Sequence, residues 1–245
     1  MLKGKNIILT GSNRGIGISI LQALVKNGAN VWACCRKPDV DFLSYTEQLS
    51  SEYHVWVKVV CFDLNDIESI DLALQSIVDE KEKIDVLINN AGITDTALLQ
   101  HTTIDKIKEI FEVNYFSQLR VIKKISKAMI RQKKGCIVNM ASVAGMEHQP
   151  GRIAYGSSKA ALIWATQSLA KEFGPFNIRI NAVAPGAART EMTSEYSEEK
   201  IKKIVSETSL RRLAEVDEIV KTVIFLCSDN SSFITGQVIK VDGGR

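Results

Sequence analysis

The chain has 245 residues, 45% hydrophobic and 24% charged, which suits a large buried core and excludes a disordered or low-complexity protein. With 31 Lys+Arg against 28 Asp+Glu, the net charge of +3 does not point to nucleic acid, and the basic residues lack interleaved aromatics. Five cysteines without a CxxC, and three scattered histidines, exclude a disulfide framework and a zinc site, so no metal is expected.

The amino-terminal "MLKGKNIILTGS" holds an apolar segment too short for a signal sequence or a membrane span, so a cytoplasmic protein without a membrane partner is expected. From there, strand-length apolar runs alternate with amphipathic stretches: "NIILT" then "GISILQALVKN", "VWACC" then Phe42 to Tyr53, "VWVKVVCF" then Ile67 to Glu82, then "DVLINNAG". A long helix is predicted from Ile104 to Lys134, followed by "GCIVNMAS", a helix carrying Tyr155, "IRINAVAPG" and "QVIKVDGG". Strands rich in Val and Ile, with no hairpin turns between them, predict parallel strands joined by crossover helices. The expected fold is α/β: a Rossmann-type doubly wound parallel sheet of about seven strands with helices on both faces. Four prolines, no Ser/Gly run and no internal repeat leave no linker, so residues 1–245 are read as one domain.

Ligands on such sheets bind beyond the carboxyl ends of the strands. The chemically informative residues do follow the apolar runs: Gly11 to Gly17, Arg36, Asp63, Asn89 to Gly92, Ser142, and Pro185-Gly186. "TGSNRGIG" places glycines at 11, 15 and 17 between a strand and a helix, as a tight turn around a pyrophosphate at a helix amino terminus requires. Gly11, Ser12, Asn13, Arg14, Gly15, Ile16 and Gly17 are therefore candidate cofactor-binding residues, although the spacing is GxxxGxG rather than GxGxxG and a plain strand-to-helix turn is the other reading. An acidic residue at the end of the second strand would favour NAD; here Arg36 stands there, and with Arg14 it can bind a 2′-phosphate, so NADP(H) is predicted. Asp39 lies about where a ribose-binding carboxylate would, but Pro38 carries it past the strand.

Tyr155 and Lys159 stand four apart, about one turn along one helix face. A phenol with an ordinary pKa of about 10 needs a nearby cation before it exchanges protons at neutral pH. Ser142, after an apolar strand, can donate to a carbonyl oxygen as charge grows on it. In order and spacing, TGxxxGxG at Thr10 to Gly17, Asp63-Leu64, NNAG at 89 to 92, Asn114 in "EVNYF", Ser142, Tyr155, Lys159 and "PGAARTEM" resemble the short-chain dehydrogenase/reductase family over essentially the whole chain. The resemblance implies an NADP-dependent oxidoreductase acting on CH–OH groups, with Asn114, Ser142, Tyr155 and Lys159 catalytic and Asn114 holding a water that links Lys159 to solvent. It also implies cofactor contacts at Asp63, Leu64, Asn90, Gly92, Tyr155, Lys159, Pro185, Gly186, Ala188 and Thr190.

Within that family, "NNAGIT", "GCIVNMASVAG", "AYGSSKAAL", "INAVAPG" and "SSFITGQVIKVDGG" are most similar to 3-oxoacyl-[acyl-carrier-protein] reductases of fatty acid biosynthesis, with dehydrogenases of sugars, steroids or other small alcohols as the alternative. A non-catalytic NADP-binding sensor or scaffold is a reading from another class. Arg120, Lys123, Lys127, Arg131 and Lys134 recur at helical spacing, and an acidic acyl carrier protein could dock at Arg131, Lys133 and Lys134; a solvated helix face is the plain alternative. Asp95-Thr96 after "NNAGIT" and "FGPFNI" after the Tyr155 helix depart from the arginines expected of a carrier-protein reductase. The 146–152 loop, including His148, and the 193–208 segment are expected to line the pocket. Small residues Gly156, Ser157, Ser158, Ala160 and Ala161 would permit helix packing between subunits of a homotetramer, or packing within one subunit.

Overall fold

In the computed structural model of the chain, which describes residues 1–190, 193 and 196–245, the apolar runs lie side by side in one seven-stranded sheet. The strands are β1 (Asn6–Thr10), β2 (Asn30–Cys35), β3 (Val57–Cys61), β4 (Val86–Asn89), β5 (Gly135–Met140), β6 (Ile178–Pro185) and β7 (Val238–Val241). They are ordered β3-β2-β1-β4-β5-β6-β7, and every neighbouring pair is parallel. The helices are α1 (Gly15–Lys26), α2 (Val40–Tyr53), α3 (Ile67–Asp79), α4 (Ile104–Phe111), α5 (Ser117–Gln132), α6 (Ile153–Phe173), α7 (Glu198–Glu207) and α8 (Val216–Cys227).

Alternate residues of the central strands feed two apolar layers. Ile7, Leu9 and Val31 pack with Leu21 and Leu24 of α1 and Val223 of α8, whereas Ile8, Leu87 and Ile137 pack with Leu74 of α3 and Val121 and Ile125 of α5. Full burial of each such side chain contributes about 1.5–3 kcal/mol. The chain runs outward through β1, β2 and β3, then returns to place β4 on the other side of β1. That reversal opens a crevice between the carboxyl ends of β1 and β4, where sheets of this kind receive ligands.

Helix starts show how local chemistry sets the boundaries. Asp39 accepts from the Phe42 amide at 2.8 Å, Asp66 from Ser69 at 3.1 Å, Thr103 from Lys106 at 3.1 Å and Ser197 from Lys200 at 3.3 Å. The Asp39 cap begins α2 at Val40, ahead of the expected Phe42, and α3 ends at Asp79 rather than Glu82. The predicted helix from Ile104 to Lys134 is interrupted by one π-helical turn, Glu112–Phe116, between α4 and α5. Glu191 and Met192 of "PGAARTEM", and Ser194 and Glu195 of the segment expected to cover the pocket, lie outside the described residues. Among the described residues, no helix is long and apolar enough to cross a membrane.

Candidate active site

The turn after β1 is shaped by positions that tolerate no side chain. Gly11 and Gly15 hold φ of +65° and +54°, and a Cβ on Gly17 would sit 1.8 Å from the Gly11 carbonyl oxygen. Ser12 ties this turn to β2, its hydroxyl donating to Cys34 O at 3.0 Å, while Asn90 crosses the crevice to donate from Nδ2 to Thr10 O at 3.1 Å and Gly11 O at 2.9 Å. Thr10 Oγ1 accepts from the amides of Asn90 and Ala91, each at 3.0 Å. Unlike α2, α3, α4 and α7, α1 has no side-chain cap and no acid in its first turn. Its amino end therefore keeps the unpaired N–H groups and dipole that favour an anion.

The other candidate cofactor residues ring the same end of the sheet. Arg14 and Arg36 are exposed, and neither forms an ion pair with a described residue. Asn13 and Ile16 are half-buried, the latter against the core. Asp63 Oδ1 accepts from the Asn65 amide at 2.9 Å, and buried Leu64 accepts from Ser117 Oγ through its carbonyl. A Cβ on Gly92 would lie 3.0 Å from Asn114 Oδ1 and 3.4 Å from Lys159 Nζ. Beyond Pro185, the Gly186 amide donates to Val241 O at 2.9 Å, Ala188 O accepts from Thr193 Oγ1 at 2.8 Å, and the Thr190 amide donates to the same hydroxyl at 2.9 Å. Asp39 is engaged as the α2 cap.

Ser142, two residues past β5, and Tyr155, in the first turn of α6, are brought close enough for the hydroxyl to act on the phenol, while Ser142 Oγ accepts from the Ala144 amide at 3.2 Å. One turn on, Lys159 is buried, with Nζ donating to Met140 O at 2.8 Å and standing 5.8 Å from the Tyr155 ring centroid. Burial pushes the Tyr155 phenol above its ordinary value, opposed by the Ser142 hydroxyl and the Arg152 charge and reinforced by Tyr196. Burial also brings the Lys159 ammonium down to about 8. The expected acidification of Tyr155 by Lys159 is therefore not present in the chain alone: the ammonium faces a backbone carbonyl, and desolvation of the phenol outweighs the polar groups around it.

Asn114 sits in the π turn, and both ends of its amide are engaged. Oδ1 accepts from Ile93 N at 2.9 Å, and Nδ2 donates to Ile93 O at 2.8 Å and Ser158 Oγ at 3.1 Å. Through these bonds the side chain ties the loop after "NNAG" to α6. The small residues of α6 serve packing within the subunit too: a Cβ on Gly156 would meet Ala144 O at 2.6 Å, and one on Gly145 would meet Ala160 N at 2.8 Å. Arg152, the last residue of the 146–152 loop expected to line the pocket and three residues before Tyr155, has its guanidinium carbon 5.7 Å from the Tyr155 ring, a contact that motif spacing does not reveal. The available signal is a cation immediately before the Tyr155 helix. Among the described residues, no group of three His, Cys, Asp or Glu side chains is arranged to hold a metal.

A family model described as enoyl-(acyl carrier protein) reductase matches residues 11–245. A 3-oxoacyl-[acyl-carrier-protein] reductase of Aquifex aeolicus is 38% identical over 243 residues, covering 99% of this chain and 98% of the relative. The chain belongs to the short-chain dehydrogenase/reductase family. Another such relative, a 3alpha-hydroxysteroid dehydrogenase of Mediterraneibacter gnavus, is 32% identical over 245 residues, 99% of this chain and 97% of the relative. A crystal structure of a 3-oxoacyl-[acyl-carrier protein] reductase from Brucella melitensis with bound NAD superposes with a TM-score of 0.88 at 31% identity, covering 99% and 91% of the two chains. Family membership makes this chain an oxidoreductase acting on CH–OH groups and using a nicotinamide cofactor.

Proposed function

We propose that the chain is an NADPH-dependent reductase of 3-oxoacyl groups carried on acyl carrier protein. The observation that carries the chemistry is the meeting of Ser142 and Tyr155 beside buried Lys159, beyond the carboxyl end of β5. The names of the Aquifex and Brucella relatives support the substrate. The bound dinucleotide supplies a hydride. Ser142 donates a hydrogen bond to the substrate carbonyl oxygen, and Tyr155 gives that oxygen its proton. Lys159 has its position behind Tyr155 set by Met140 O and holds the nicotinamide ribose, while Asn114 positions Ile93 and Ser158. Gly11 to Gly17, Asp63, Leu64, Asn90, Gly92, Pro185, Gly186, Ala188 and Thr190 form the dinucleotide's bed.

NADP over NAD is supported by exposed Arg14 and Arg36 at the adenosine end and by Asp39 being occupied as a helix cap. Carrier-protein docking at Arg131, Lys133 and Lys134 is supported by their exposure at the end of α5 and their lack of ion pairs with described residues; Arg120, farther back, is tied to Glu112. The Mediterraneibacter relative supports a second reading, a dehydrogenase of a steroid alcohol. The test is oxidation of NADPH and NADH against a 3-oxoacyl carrier protein, a keto sugar and a steroid ketone. The carrier-bound group should give the highest kcat/KM, with NADPH favoured by about tenfold or more, the worth of one charge-assisted contact. Preference for the steroid ketone would establish the second reading, and no turnover on any carbonyl would remove the enzymatic one.

A further inference from the structure

The 93–98 loop and the turn before α6 meet beside the catalytic pair, where the Ala97 amide donates to Gly151 O at 3.1 Å. Half-buried Arg152 bridges them, with Nη1 donating to Thr94 Oγ1 at 2.9 Å and Asp95 O at 3.4 Å. That leaves Nε and Nη2 without a partner among the described residues, and no described carboxylate pairs with Arg152. Glu147, the acid in the loop before α6, is directed elsewhere, lying 3.5 Å from Lys240 and 3.4 Å from Arg245. A guanidinium with donors left over among the described residues thus lies beside the phenol, its carbon 5.7 Å from the Tyr155 ring.

A neutral acyl thioester has no use for such a charge, whereas a planar carboxylate matches it in shape and sign. We propose that the site also reduces small free oxo acids, with Arg152 gripping the ionised carboxylate of a 3-oxo acid while the ketone oxygen rests on Ser142 and Tyr155. This rests on the reading of Ser142 and Tyr155 given above. In the reduction, the ketone carbon gains a C–H bond with the hydride of the dinucleotide, which is oxidised. The C=O π pair moves onto oxygen, and oxygen takes the Tyr155 proton. The carboxylate is unchanged and the product is a 3-hydroxy acid.

The test compares acetoacetate, its methyl ester and its N-acetylcysteamine thioester in wild type, Arg152→Gln and Arg152→Lys. Wild type should show a KM for the acid about tenfold to a hundredfold below that for the ester, the worth of a charge-assisted pair. Arg152→Gln should erase this difference through the acid's KM, and Arg152→Lys should recover part of it. An acid-to-ester ratio near one in wild type, or one that Arg152→Gln leaves unchanged, overturns the proposal. Thioester turnover without acid preference overturns it while leaving the reductase reading intact; no turnover on any of the three sinks both. Should the glutamine variant fail to fold, peptide mass analysis after phenylglyoxal treatment of wild type decides, since 3-hydroxybutyrate must shield Arg152 and absence of shielding refutes the assignment.

Discussion

Lys159 is placed where its charge is costly. The residue is only 4% exposed, its ammonium has Met140 O as hydrogen-bond acceptor, and the drop from 10.5 to about 8 corresponds to about 3 kcal/mol of disfavoured charge. Below pH 8 the folded and unfolded chains both carry that proton, and the penalty stands in full. Between about 8 and 10.5 the unfolded chain binds more protons than the folded one, so stability rises with pH as the penalty is relieved. Urea denaturation across pH 7 to 10.5 should show this rising contribution in wild type and its absence in Lys159→Met; parallel profiles would contradict it. Tyr155 behaves differently, because burial favours its neutral phenol over the charged form. Tyr155→Phe should lower kcat by about 10²- to 10⁴-fold, as loss of a general acid does, while fluorescence titration finds dinucleotide affinity nearly intact. The residue types and spacing at 142, 155 and 159 are legible in the sequence. The directions of their pKa shifts are not, because they depend on how deeply each group is buried and which carbonyl faces it.

At the scale of elements, the β1–α1 turn separates two ways in which a glycine can be required. Gly15 has open space around its missing Cβ but a φ of +54°, so Gly15→Ala should lose about 1–2 kcal/mol of stability from backbone conformation alone. At Gly17 a Cβ would fall 1.8 Å from Gly11 O and 2.7 Å from Asn90 Nδ2, so the first turn of α1 must move and the phosphate cradle with it. Gly17→Ala should therefore cost much more stability and abolish measurable dinucleotide binding, with urea melts and titration reading the two effects; equal losses in the two variants would refute the distinction. Strand and helix order is readable from "NIILT", "VWACC" and "GCIVNM" because parallel strands buried on both faces are continuous apolar runs. The π turn is not readable, since "EVNYF" continues the helical pattern and only the Asn114 hydrogen bonds to Ile93, 21 residues earlier in sequence, expose its purpose.

For the whole molecule, the question is what covers the large apolar side chains that one chain leaves in solvent. Trp164, in the middle of α6, is 68% exposed, and Phe116 in the π turn and Ile153 at the start of α6 are 46% and 51% exposed. Scattered apolar residues are normal on a surface, but a tryptophan buries 150–250 Å² when covered and belongs to the class that dominates interfaces. Composition and motif spacing give family expectation for an oligomer and nothing about its surface, because Gly156 and Ala160 face the 143–145 turn inside the subunit and Trp164 faces outward. If a second copy of the chain covers this face of α6, Trp164→Arg places a charge in the interface and leaves the subunit core untouched. Light scattering at micromolar concentration should then find wild type at a multiple of the chain mass and Trp164→Arg at a smaller species with unchanged far-UV dichroism. A wild type that runs as a monomer removes the oligomer from the reading, and a variant that keeps the wild-type mass moves the interface to another face.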